Sequence, residues 1–189
     1  MVNGVIFEGH FTNGACDGVG KLMYSNGDIY FGQHRGFVRE GQGKMIYLNG
    51  STYEGGWAND RKDSRGRMYE KISGDIYNGE YFEGKRNGRG RMYYHEKQDI
   101  YDGDWSNDRR QGDGYVINRK GEVCQGDFRA DQMEGKLSHL KTLSQAETER
   151  VFRIMVETND LFISVDKNSD QTPDLEAIKS QIFRLKKFR

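Results

Sequence analysis

Four histidines, two cysteines and one acidic loop are the residues through which this chain could do metal or covalent chemistry. His10, His34, His95 and His139 have no metal-ligand spacing with one another or with Cys16 and Cys124, and a zinc site needs such clustering. Cys16 as a nucleophile would need a base held beside it, and none is indicated. The many Gly-x-Gly pairs lack the Lys-Ser/Thr that completes a phosphate loop. Asp166, Asn168 and Asp170 fit the first three ligand positions of an EF-hand calcium loop. The fit then fails, because Gln171 stands where glycine makes the turn and Ala177 where a bidentate glutamate closes the cage. A polar loop is the better reading. No catalytic constellation, metal site or cofactor is expected, and the chain is expected not to be an enzyme.

Aromatic rings recur instead. Phe7, Tyr30, Tyr53, Tyr77 and Tyr101 each lead a segment with glycine third and a ring fifth, and a worn copy begins at Cys124. The starts lie 23, 23, 24, 24 and 23 residues apart. A fixed period of roughly 20–50 residues marks an array of identical supersecondary units. Counting from each lead residue, position 5 is Phe11, His34, Trp57, Tyr81, Trp105 and Phe128. Position 12 is glycine except at Ser64, and position 14 is glycine until Leu137. Position 16 is apolar (Leu22, Met45, Met68, Met92, Val116), and Tyr24, Tyr47 and Tyr94 stand at position 18.

Strand side chains alternate faces, so positions 1, 3 and 5 share a face, as do positions 12, 14, 16 and 18. Glycine weakens a strand unless something needs its space; here it leaves slots for neighbouring rings. Positions 6 to 11 are expected to connect the two strands, with Asn59-Asp60 and Asn107-Asp108 among the turn signals. Asn26-Gly27, Asn49-Gly50 and Ser73-Gly74 return the chain to the next copy. Each copy is then one hairpin, and about eleven strands at roughly 4.8 Å each make a twisted ribbon about 50 Å long. On the opposite face, acidic positions 2 and 4 meet basic position 15 across strands, beside an apolar position 17. Neither face is purely polar, so a partner or the C-terminal segment is expected to cover one of them.

Composition agrees with a thin sheet. Only 34% of residues are hydrophobic, the apolar material leans on rings, and there are 25 glycines. Lys plus Arg and Asp plus Glu both number 29, which gives no global attraction to nucleic acid or membrane. Two cysteines far apart in an extended array suggest a reducing compartment. No apolar run has signal or membrane-spanning length, so the chain reads as cytosolic.

Residues Val5 to Leu137 resemble the MORN repeat (membrane occupation and recognition nexus), whose pattern is Y-x-G-x-W, a short loop, then G-x-G and a Tyr-containing strand. His34, Ser64 and Cys124 depart from it. The resemblance implies an all-β repeat fold: an elongated, single-layer, twisted antiparallel sheet of hairpins. It also implies a groove that binds partner polypeptides, lined here by Phe7, Phe11, Tyr30, His34, Tyr53, Trp57, Tyr77, Tyr81, Tyr101 and Trp105, with Tyr24, Tyr47 and Tyr94. Family members act as scaffolds in ciliary axonemes and other cytoskeletal assemblies, at membrane contacts, or beside enzymes. The expected function is therefore a non-catalytic protein-binding scaffold in the cytoplasm, associated with the cytoskeleton or a ciliary or flagellar axoneme. The alternatives are recognition of anionic phospholipid, which the zero net charge disfavours, and a regulatory subunit of a separate enzyme.

The array is expected over residues 1–137, as five full repeats and a degenerate sixth, and a short α-helical segment over 138–189. Ser144 and Glu147 fit a capping box, and Ala146, Val151, Phe152 and Met155 mark one helix face to about Thr158. A second helix is expected to open at Thr172-Pro173-Asp174, with Leu175, Ile178, Ile182 and Leu185 as its seam. Both helices are expected to cap the open sheet end, the alternative being a helix that docks on a partner.

Overall fold

The computed structural model of the chain describes residues 5–12 and 14–157. The side chain of Phe11, the 166–177 loop and the second expected helix lie outside the described residues. The first six strands are β1 (Ile6–Thr12), β2 (Ala15–Met23), β3 (Ile29–Arg35), β4 (Val38–Ile46), β5 (Thr52–Ala58) and β6 (Arg61–Tyr69). The next six are β7 (Ile76–Phe82), β8 (Lys85–Tyr94), β9 (Asp99–Ser106), β10 (Arg109–Asn118), β11 (Glu122–Arg129) and β12 (Gln132–Thr142). They form one antiparallel open sheet in strict chain order, followed by α1 (Gln145–Glu157). The all-β repeat architecture is as expected, and the sixth copy contributes both of its strands because backbone pairing continues past the last glycine.

The turns within repeats are tighter than the sequence suggested. Ala58 pairs with Arg61 and Ser106 with Arg109, which leaves two-residue turns at Asn59-Asp60 and Asn107-Asp108. Both residues of each turn have positive φ (49° and 63°, 50° and 68°), the backbone that matches the twist of flanking strands. Only positions 7 and 8 therefore connect the strands, while position 6 and positions 9 to 11 are strand. The extra residues are absorbed by a bulge, since the register shifts between Gly55 and Trp57 in β5–β6 and recurs in the other long hairpins. Position 12 sits in that bulge with positive φ, from 58° at Ser64 to 97° at Gly18. Its glycine serves the backbone and belongs to no ring-bearing face, which corrects the alternation expected for it.

Positions 3 and 14 do make the slots. Gly55 faces Gly66 across β5 and β6, and a Cβ on Gly66 would lie 2.5 Å from two Tyr53 ring carbons. The same lock recurs where Tyr77 lies across Gly79 and Gly90. The rings and the position-16 side chains form one core face: Tyr30, Tyr53 and Tyr101 are at most 1% exposed, packed with Leu22, Met45, Met68 and Met92.

The second face carries the expected charge pairs, including Lys44–Glu54 at 3.3 Å and the Arg91–Asp102 pair. It also carries a second apolar stripe. Val151, Phe152 and Met155 of α1 pack there on Tyr69, Ile76, Tyr93, Ile100 and Ile117. The helix therefore lies on a sheet face, which corrects its expected place at the sheet end: the stripe offers more apolar surface than an edge does. Arg67 donates to the carbonyls of Met155 and Val156 at 3.1 and 3.3 Å, a cation at the negative helix terminus. The capping box forms, with Ser144 N–H donating to Glu147 Oε2 at 2.9 Å and Glu147 N–H donating to Ser144 Oγ at 3.3 Å. Ala146 is exposed, and Thr148 is buried at the helix start instead.

Gly66→Val should lower stability by about 1–3 kcal/mol, because the Tyr53 ring must leave its slot. Gly135→Asn, at φ 78° with nothing near its would-be Cβ, should stay within about 0.5 kcal/mol of wild type in urea denaturation. His34 is buried at position 5, and burial holds its pKa below 6.5, against smaller help from the Gly32 backbone. The folded chain thus binds fewer protons there than the unfolded chain, so stability falls as pH drops through 6.5. His34→Phe should flatten that fall, as read from thermal unfolding midpoints across pH.

Candidate functional site: the ring-lined face

Alternation on β3, β5, β7 and β9 brings positions 1 and 5 onto one face, where the rings meet edge to face in an unbroken series. Tyr30–Trp57, Tyr53–Trp57, Tyr53–Tyr81 and Tyr77–Tyr81 have centroids 5.2 Å apart, and the series continues through Tyr77–Trp105 and Tyr101–Trp105 to Tyr101–Phe128. At the other end it runs through His34 to Phe7. Each lead tyrosine donates its hydroxyl to the carbonyl three residues on: Tyr30 to Gln33, Tyr53 to Gly56, Tyr77 to Glu80 and Tyr101 to Asp104, at 2.9–3.0 Å. Trp57 and Trp105 donate Nε1–H to the Gly43 and Gly90 carbonyls at 3.2 and 3.1 Å. Burial drives the phenol pKa values of Tyr30, Tyr53, Tyr77 and Tyr101 far above the usual range. These rings are spent on the sheet itself.

A more exposed layer lies above them. Tyr24, Tyr47 and Tyr94 are half-buried, and burial raises their pKa values while nearby arginines oppose the rise. Between them runs a row of cations at position 10, which the sequence reading did not single out. Arg39 lies over Trp57 at 4.3 Å, Arg86 over Trp105 at 4.4 Å and Arg110 over Phe128 at 4.8 Å, while Lys62 sits 5.2 and 5.6 Å from the Tyr53 and Tyr81 centroids. Such contacts contribute about 0.5–2 kcal/mol each. The sequence signal was present, since a basic residue follows the lead ring by nine positions in four successive copies. Register alone could not tell it from the other surface cations.

The ring-bearing face opens into clefts. One of about 620 Å³ lies among Tyr24, Arg39, Tyr47, Asp60 and Lys62, and another of about 340 Å³ lies on the far side of Lys62. Of the residues expected to line a groove, Phe7, Tyr30, His34, Tyr53, Trp57, Tyr77, Tyr81, Tyr101 and Trp105 are brought into one line, and Tyr24, Tyr47 and Tyr94 stand half-buried beside it. Cys16 is buried, which pushes its thiol up to about 11 and keeps it protonated at neutral pH. Among the described residues no group of His, Cys, Asp and Glu is placed to hold a metal ion. None of the described helices is long and apolar enough to cross a membrane.

Comparison with known proteins agrees with this geometry. The MORN repeat pattern matches residues 7–29, 38–52, 53–69, 77–96, 101–114 and 124–136. No curated protein matches the chain. Among solved structures, the chain is similar to the TCP domain of SAS-4 (dCPAP) from Drosophila melanogaster, solved in complex with a proline-rich motif of Ana2 (dSTIL). That likeness is 14% identical, covers 62% of this chain and 84% of the other, and has a TM-score of 0.29. A score that low carries no argument about fold or function. The repeat pattern spans more than half of the sequence, in phase with the hairpins, and the chain belongs to the MORN repeat family.

Proposed function

We propose that this protein is a non-catalytic scaffold that binds an extended partner polypeptide along the ring-bearing face. The observation that carries this reading is the asymmetry of the two faces. One is covered over its middle by α1, while the other presents half-buried tyrosines and ring-stacked cations beside clefts. Tyrosine and arginine are the residues that most often dominate protein interfaces. Extended polypeptide suits a shallow channel whose subsites recur once per hairpin. A cytoplasmic place in an axonemal or other cytoskeletal assembly rests on what other members of the family do, as an analogy.

Tyr47→Ala combined with Tyr94→Ala tests the reading without touching the buried locks. Recovery of the native partner by affinity purification should fall at least about tenfold, as for loss of an interface hot spot, with the thermal midpoint close to wild type. Equal recovery by the folded double variant contradicts the proposal. Salt-sensitive co-sedimentation with anionic liposomes, unaffected by the two tyrosines, would point to lipid recognition instead.

A further inference from the structure

Three of the four position-10 cations share one bonding pattern, and the fourth lacks half of it. Arg39, Arg86 and Arg110 each pair with the second turn residue of the following hairpin: Asp60, Asp108 and Asp131. Each carboxylate accepts the arginine's backbone N–H at 2.9–3.0 Å and its Nε at 2.9–3.2 Å. Each aspartate N–H returns a bond to the arginine carbonyl, at 3.2, 3.0 and 3.1 Å. The Lys62 site has the same frame, since Gly84 N–H donates to the Lys62 carbonyl at 2.8 Å. Gly84 brings no carboxylate. Among the described residues Lys62 has no ion-pair partner within 4.0 Å; its ammonium contacts Met68 Sδ at 3.9 Å and faces the Tyr53 and Tyr81 rings. Burial holds its pKa below the ordinary lysine value, with Glu70 and Asp108 opposing that shift and Arg86 adding to it.

The acidic groups around the adjoining cleft are engaged elsewhere. Glu70 accepts the Ser51 hydroxyl at 3.1 Å, Asp75 accepts the His95 backbone N–H at 2.9 Å, and Asp108 is held by Arg86. Asp28 does for Leu48 what Asp75 does for His95, beside the filled Arg39–Asp60 site. A turn aspartate of this kind therefore coexists with a carboxylate at the cation. Glu70 is the local difference: it stands at position 18, where Tyr24, Tyr47 and Tyr94 stand in other copies.

We propose that the space beside Lys62 and Gly84 is a socket for an aspartate or glutamate side chain of the bound polypeptide, which supplies the carboxylate that Asp60, Asp108 and Asp131 supply at the other hairpins. The inference rests on the peptide-binding reading above and adds its register. A groove with subsites repeating every hairpin would let an extended chain slip by one repeat at little cost. One unfilled cation among three filled ones removes that degeneracy, because any other register leaves the ligand's carboxylate without a charged donor. A partly desolvated ammonium gains most from such a charge-assisted bond.

The test is selection of a random 12-residue peptide library, displayed with both ends fused so that no free terminus is present, against the full chain. Recovered peptides should share one acidic position, and changing that residue to its amide should weaken binding at least about tenfold. Gly84→Asp should cancel the acidic preference by filling the socket from within. The substitution suits the backbone, since Asp60, Asp108 and Asp131 hold φ of 63°, 68° and 72° at the same place and Gly84 holds 88°. Glu70→Gln should strengthen binding by removing a like charge. Peptides that need Tyr47 and Tyr94 but show no acidic preference, or keep it in Gly84→Asp, overturn the socket and leave the groove reading standing. If no selected peptide depends on those tyrosines, both fall.

Discussion

A tyrosine ring lying across two glycines of neighbouring strands is the contact on which this sheet depends. A single-layer sheet has no second layer to bury its apolar face against, so it must bury rings on itself. Gly55 and Gly66 remove two Cβ atoms from the path of Tyr53, whose hydroxyl then reaches the Gly56 carbonyl at 2.9 Å. Each strand-interior glycine costs about 0.5–1 kcal/mol. Burying the ring contributes about 1.5–3 kcal/mol, the net hydrogen bond about 1 kcal/mol, and each edge-to-face neighbour about 0.5–1.5 kcal/mol. The lock is favourable once the next ring is in place, so stability propagates from hairpin to hairpin as in other repeat arrays.

The period of the repeat and its glycine–ring coupling were legible because each answers to one physical demand that recurs in every copy. The chain order of the strands could be read for the same reason, and the capping box at Ser144 and Glu147 because its two residues act locally within one helical turn. The bulge could not. The glycines of positions 12 and 14 look alike in sequence, yet Gly88 holds a left-handed backbone while Gly90 makes room for Tyr77. Ser64 hints at the difference, since a serine tolerates φ 58° but would not admit the ring. The place of α1 was also hidden, because an apolar helix face fits a sheet end and a sheet face equally until the second stripe is located in space. The cation row escaped notice because its geometry depends on which hairpin's turn stands beside each arginine.

That geometry moves the functional question outward by one layer. The lead tyrosines and the tryptophans hold the sheet, while the cations above them are paired or unpaired according to the next turn. Tyr24, Tyr47 and Tyr94 stand beside that row with part of each ring in solvent. Within one hairpin the two strands divide the work: position 1 faces down into glycine slots, while positions 10 and 18 of the partner strand line the clefts. Gly84 in a turn and Glu70 in the tyrosine row are where this chain's own copies differ from one another beside the cation row.

The most direct measurement is a side-chain NMR map of the labelled protein with its bound polypeptide. Signals of Tyr47 and Tyr94 and the methyls of Met45, Met68 and Met92, all on the ring-bearing face, should shift in one continuous line. The methyls of Ile76, Ile100 and Met155 beneath α1 should stay in place. Shifts confined to the α1 face, with the ring-bearing face silent, would contradict the account.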